Sequence, residues 1–94
     1  MTRASYNGHT LAETDKYEVV EGNIYFPPES IERGAFTDSS LTSVCPWKGL
    51  ASYLNVVVDG EELKDVAWYY PEPKDAAANI KGYVAFYPQI TIES

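Results

Sequence analysis

Apolar and polar positions alternate with a period near two along much of the chain. The clearest stretch is Leu50–Tyr70, "LASYLNVVVDGEELKDVAWYY". Such alternation marks a β-strand. Asp59-Gly60 in its middle supplies the positive φ angles that a two-residue hairpin turn requires, so the stretch reads as two strands folded back on each other. With Asp59 and Gly60 as the loop, Val58 faces Glu61, Val56 faces Leu63, Tyr53 faces Val66 and Ala51 faces Trp68. Tyr53, Val57, Val66, Trp68 and Tyr70 then share one face with Asn55, Glu62 and Lys64. Leu54, Val56, Val58, Leu63, Ala67 and Tyr69 share the other with Ser52, Glu61 and Asp65. Both faces are apolar near the Tyr53–Tyr70 end, which suits a packed or barrel-like sheet.

The same reading extends outward. "TLAETD" (10–15) is a short mixed run. Tyr17–Glu21 and Ile24–Phe26 are β-rich pieces around Glu21-Gly22-Asn23, where a Gly-Asn pair signals a hairpin. Pro27-Pro28 ends the second piece, because proline donates nothing to a ladder. Residues 28–49, "PESIERGAFTDSSLTSVCPWKG", lack a clear period and read as a long loop with one helical turn near Pro28–Glu32. A connection of that length is often functional. "PEPKDAAANIKGY" predicts one short helix over 74–81, begun after Pro73, favoured by three alanines and stopped by Gly82. "YVAFYP" and "QITIES" close the chain as strands separated by Pro88. The expected class is mainly β, as a single domain over 1–94 with one short helix.

Composition narrows the function classes. The net charge is −7, and the seven Lys and Arg are scattered singly. Nucleic-acid affinity comes mostly from clustered cations on phosphates, so no nucleic-acid partner is expected. An acidic chain is also a poor match to an anionic membrane surface. The one cysteine, Cys45, forms no internal disulfide, and "MTRASYNGHT" carries no signal-peptide pattern. A reducing, cytoplasmic setting is therefore expected, with no membrane partner. Homo-oligomerisation is left open.

Three motifs then stand together: Tyr25-Phe26-Pro27 in "EGNIYFPPESI", "CPWKGLASY" from Cys45, and Ala67-Trp68-x-Tyr70 in "AWYYPEPKDAAANIKGYVAFY". In order and spacing the chain resembles the family known as domain of unknown function 427, in particular its small, single-domain, cyanobacterial-type members. The resemblance runs from about Asn7 to Ile92. It implies a compact antiparallel β fold akin to the β-tent group, whose members often hold a structural zinc. It also brings a nucleotidyltransferase-like label. Members often carry Thr-His within the four residues before the cysteine. Here Leu41–Val44 contain no histidine, so any base supplied there is missing.

The candidate chemistry is read from the residues. A structural zinc needs four Cys or His ligands. Cys45 and His9 alone do not make such a site, and no metal or other cofactor is expected. Nucleotidyl transfer needs a phosphate-cradling loop and clustered carboxylates. Only Asp59, Glu61 and Glu62 cluster, at a hairpin turn where charge is ordinary. Cys45 with Lys48 three residues on is a candidate catalytic pair, since a nearby cation lowers a thiol pKa. Against that stands a structural cysteine in a corner shaped by Pro46 and Gly49. Trp47, Tyr53, Trp68 and Tyr70, with Tyr25 reaching in and Lys48 at the rim, are candidate ligand-binding residues around an aromatic pocket. Glu21 and Glu29 read as solvated. The leading expectation is a module that binds a small molecule or a protein surface. The alternatives are an enzyme using Cys45 as nucleophile and a purely structural module.

Overall fold

The computed structural model covers residues 1–94. Nine strands form three antiparallel sheets. β1 (Thr2–Tyr6) and β2 (His9–Thr14) make a hairpin, and β9 (Thr91–Glu93) adds to the free edge of β1. β3 (Glu18–Val20) and β4 (Asn23–Tyr25) are a second hairpin. β5 (Phe36–Cys45), β6 (Gly49–Val58), β7 (Glu61–Tyr69) and β8 (Val84–Phe86) pair in that order as a four-stranded sheet. No sheet closes into a barrel. No helix is long and apolar enough to cross a membrane.

Three of the hairpins turn on two residues that both have positive φ: Asn7-Gly8 (49° and 81°), Glu21-Gly22 (52° and 79°) and Asp59-Gly60 (51° and 80°). That geometry matches the right-handed twist of the flanking strands. The second turn differs from the sequence expectation by one position, because Val20 pairs with Asn23 and the loop residues are Glu21-Gly22. The first hairpin is absent from the sequence reading, although Asn-Gly between alternating residues is its usual signal.

The largest correction concerns residues 28–49. Short 3₁₀ turns occupy Pro28–Ser30 and Arg33–Ala35, and β5 follows where a loop was expected. β5 is an edge strand with seven of its ten residues exposed, so neither of its faces imposes an apolar alternation. The helix expected over 74–81 is a 3₁₀ segment, Asp75–Ile80, irregular at Ala77. It buries Ala77 and Ile80, and Gly82 follows at φ 75°.

The central hairpin keeps the expected register only beside its turn. Val58 pairs with Glu61 and Val56 with Leu63, but Tyr53 pairs with Trp68 and Ser52 with Tyr69. Opposite Asn55 alone lie Lys64, Asp65 and Val66, so β7 holds a two-residue bulge with Asp65 at φ 58°. β5 has a matching irregularity, with Ser39, Ser40 and Leu41 opposite Tyr53. Asn55 ties the two together. Its Oδ1 accepts the Asp65 amide N–H at 3.0 Å, and its Nδ2 donates to Thr37 Oγ1 at 3.3 Å and to the Asp38 carbonyl at 3.4 Å.

The four-stranded sheet buries apolar side chains on both faces. One face packs Leu54, Val56, Val58, Ala67 and Val84 against Ala4, Leu11 and Ala12 of the β1–β2 hairpin and against Phe26. The other packs Ala51, Tyr70 and Ala85 against Tyr25, Ala77 and Ile80. Val66 joins the first cluster and not the second, where simple alternation puts it, because the bulge turns it over. Tyr25 and Phe26 point to opposite faces, as neighbours in an extended chain must.

Candidate functional site

"CPWKG" is the loop of a hairpin. Cys45 pairs with Gly49, leaving Pro46, Trp47 and Lys48 to carry the chain from β5 to β6. Gly49 has φ 113°, a conformation that an L side chain rarely adopts. A Cβ there would also lie 3.5 Å from the Glu72 carbonyl and the Lys74 amide. The 72–74 segment is fastened against this loop, because the Lys74 amide donates to the Lys48 carbonyl (2.9 Å) and Lys74 Nζ donates to the Pro46 carbonyl (2.7 Å).

Lys48 is not the rim residue that the sequence suggested. It is only 5 % exposed and folds back onto the sheet. Its Nζ donates to and ion-pairs with Glu21 and lies 5.0 Å from the centre of the Trp47 ring and 5.6 Å from that of Tyr70. A buried ammonium needs such partners, since leaving it unpaired is costly. Glu21 comes from the β3–β4 turn, and Trp47 Nε1 also donates to it at 3.4 Å. Glu21 is thus a functional-site neighbour that the sequence reading left in solvent.

Burial alone would lower the Lys48 pKa. The hydrogen bond to Glu21, with the negative charge that Tyr25, Tyr70 and Cys45 develop on ionising, outweighs burial and holds it above the ordinary lysine value. The same hydrogen bond holds the Glu21 carboxyl below its ordinary value. Burial raises the Tyr70 phenol against the opposing pull of Lys48. Lys48 therefore remains a cation already engaged by a carboxylate. Cys45 is half-buried at the start of the same loop.

Beyond this pair the second face of the sheet continues as rings. Trp68 Nε1 donates to the Tyr25 hydroxyl at 3.2 Å, and the two rings meet edge-on, 6.3 Å apart. Trp68 and Tyr87 lie 4.8 Å apart, and Tyr87 stacks on Tyr53 at 6.3 Å and 14°. The Tyr53 hydroxyl meets Ser43 Oγ at 3.0 Å and the Tyr87 hydroxyl at 3.5 Å. The hydrogen bond with Tyr53, with burial, pushes the Tyr87 pKa up to about 12. Tyr87 escaped the sequence reading. Its signal lies in Tyr83-x-Ala85-x-Tyr87, which alternates onto the face that holds Trp68.

The expected residues Tyr25, Cys45, Trp47, Lys48, Tyr53, Trp68 and Tyr70 are thus brought to one side of the sheet. They pack on one another, and none of them lines any of the molecule's three cavities. The arrangement is a face, with Trp47 (39 % exposed) and Tyr87 (38 % exposed) outermost, where an aromatic pocket was expected. No three His, Cys, Asp or Glu side chains gather where they would hold a metal ion, so the residues do not fit the zinc that a β-tent likeness implies. His9 instead meets Asp59 at 3.2 Å, where the tips of two hairpins touch.

These features define a small, mainly β protein of three antiparallel sheets with a ring-lined face beside a buried lysine that is paired with an exposed carboxylate. The chain belongs to the family described as domain of unknown function DUF427, whose sequence signature matches residues 1–93. No curated protein matches the chain.

Proposed function

We propose that the protein is a binding module and that its recognition surface is the aromatic face of Trp47, Tyr53, Trp68 and Tyr87, supported from beneath by Tyr25, Tyr70 and Lys48. The observation that carries this is the contiguous group Tyr53–Tyr87–Trp68, whose central residue, Tyr87, is more than one-third exposed. Aromatic rings give large contact areas at low entropic cost and are favoured where a partner is captured. A flat, open face suits a protein or peptide surface with aromatic or planar groups better than an enclosed metabolite. Glu21 and Lys48 then act as support, setting the position of the Trp47 indole through the hydrogen bond and the cation–π contact.

Tryptophan fluorescence on adding a peptide rich in tyrosine and tryptophan tests the reading. Saturable change is expected in the wild type, with loss of at least about tenfold in affinity for Tyr87→Ala, which removes one of the two outermost rings of the face. Equal affinity in the two proteins refutes the assignment. A thiol reagent separates the enzyme alternative: a catalytic Cys45 reacts rapidly near neutral pH, whereas a structural Cys45 is modified slowly until denaturant is added.

A further inference from the structure

A cavity of about 360 Å³ lies on the opposite side of the sheet from the aromatic face and opens to solvent. Its size is within the usual range of small-molecule sites, ~300–1,000 Å³. Leu54 and Val84 form a buried floor, and the partly buried rings of Phe36 and Tyr69 stand beside it. Arg33 and Asp38 also line it. Arg33 makes no ion pair and no side-chain hydrogen bond within the chain, and neither the Asp38 carboxylate nor the Tyr69 hydroxyl has a partner. Two opposite charges therefore flank one apolar hollow without neutralising each other.

We infer that this cavity binds a small zwitterion with an apolar, ring-sized body. The ligand's anionic group meets the Arg33 guanidinium, whose planar fork matches a carboxylate. Its ammonium meets Asp38, the Tyr69 hydroxyl is free to bond either group, and the apolar body rests between Phe36, Tyr69 and the floor. The paired lining charges favour a ligand of balanced charge. A net charge of −7 on the protein disfavours polyanions further. Nothing in this site depends on the aromatic face, since Tyr53 and Leu54, like Trp68 and Tyr69, point to opposite sides of the sheet.

The test uses amide chemical shifts of the whole chain titrated with three probes: L-phenylalanine, 3-phenylpropionate, which lacks the ammonium, and phenethylamine, which lacks the carboxylate. L-phenylalanine at millimolar concentration is expected to shift amides at 33–38 and at Tyr69 and Tyr70, and each single-charge probe to bind about tenfold more weakly. Arg33→Gln should abolish the advantage of L-phenylalanine over phenethylamine, and Asp38→Asn its advantage over 3-phenylpropionate. Both residues are exposed, so the variants should keep the native spectrum. The inference is overturned if L-phenylalanine causes no saturable shift, if the shifts map to the aromatic face, or if the three probes bind the wild type equally. The wild-type comparison decides the matter even if a variant fails to fold.

Discussion

Asn55→Ala is the substitution that asks most of the fold. Asn55 is buried and its amide spans two register shifts, accepting from Asp65 and donating to Thr37 and to the Asp38 carbonyl. A hydrogen bond contributes roughly 0.5–1.5 kcal/mol net, and a buried group left without a partner costs about 1–3 kcal/mol. Two of the three bonds are long, at 3.3 and 3.4 Å, and belong at the low end. The third holds a residue at φ 58°, outside the conformations that aspartate prefers, and counts in full. Together they predict a loss of about 2–3 kcal/mol. For a domain of this size that lowers Tm by roughly 10–20 °C. Urea denaturation followed by tryptophan fluorescence measures it, with an unchanged m-value confirming that the same surface is exposed on unfolding. Because the bulge is what brings Trp68 beside Tyr53, the near-ultraviolet circular dichroism of the folded variant should also weaken. A loss below about 1 kcal/mol with an unaltered aromatic spectrum would refute the role given to this amide.

Other substitutions probe the loop and its lysine. Lys48→Ala removes a buried aliphatic stem and should cost about 2 kcal/mol by denaturant melts, against near zero for a lysine in solvent. Glu21→Gln tests the pair by pH. The folded Glu21 pKa lies below its ordinary value of 4.5, so its contribution is present above that value and is lost as pH falls through the lowered pKa. The wild type should therefore exceed Glu21→Gln in stability at pH near 7, and the gap should close in melts run well below 4.5. Gly49→Ala places an L residue at φ 113° and should destabilise by about 1–3 kcal/mol in the same assay, whereas no loss would deny the strain assigned to that position.

Much of the fold is legible in the sequence where one face of a strand is buried. The β6–β7 hairpin, its turn, the β3–β4 hairpin and the closing strands follow from alternation and Gly placement. β5 is invisible by the same logic, since an edge strand wet on both sides has no reason to alternate. Of the candidate site, the clustering of Trp47, Lys48, Tyr53, Trp68, Tyr70 and Tyr25 is readable because alternation and the turn fix their face. The burial of Lys48 is not, because it depends on Glu21, which lies 27 positions away. The cavity beside Arg33 and Asp38 is hidden for a related reason. Its walls come from segments that alternation does not place, a 3₁₀ turn and the edge strand β5.

The bulge explains why an incorrect register still gave nearly correct faces. Side chains alternate with a period of two, so a slip of one residue would send every ring beyond it to the other side. β7 inserts two residues opposite Asn55, and the alternation beyond them is preserved. Trp68 stays with Tyr53 and Ala85 on one face, while Ala67 and Tyr69 stay with Leu54 on the other. Only Val66, within the bulge, changes sides. The aromatic face and the cavity therefore depend on the same local device. A one-residue deletion among Lys64, Asp65 and Val66 would leave an odd shift and exchange the residues of both sites at once. A two-residue deletion would restore the simple register and set Tyr53 against the residue now numbered Trp68, with the faces intact. The two deletions differ by one residue in length and by the whole disposition of the sheet, so the shorter should be the more damaging to folding.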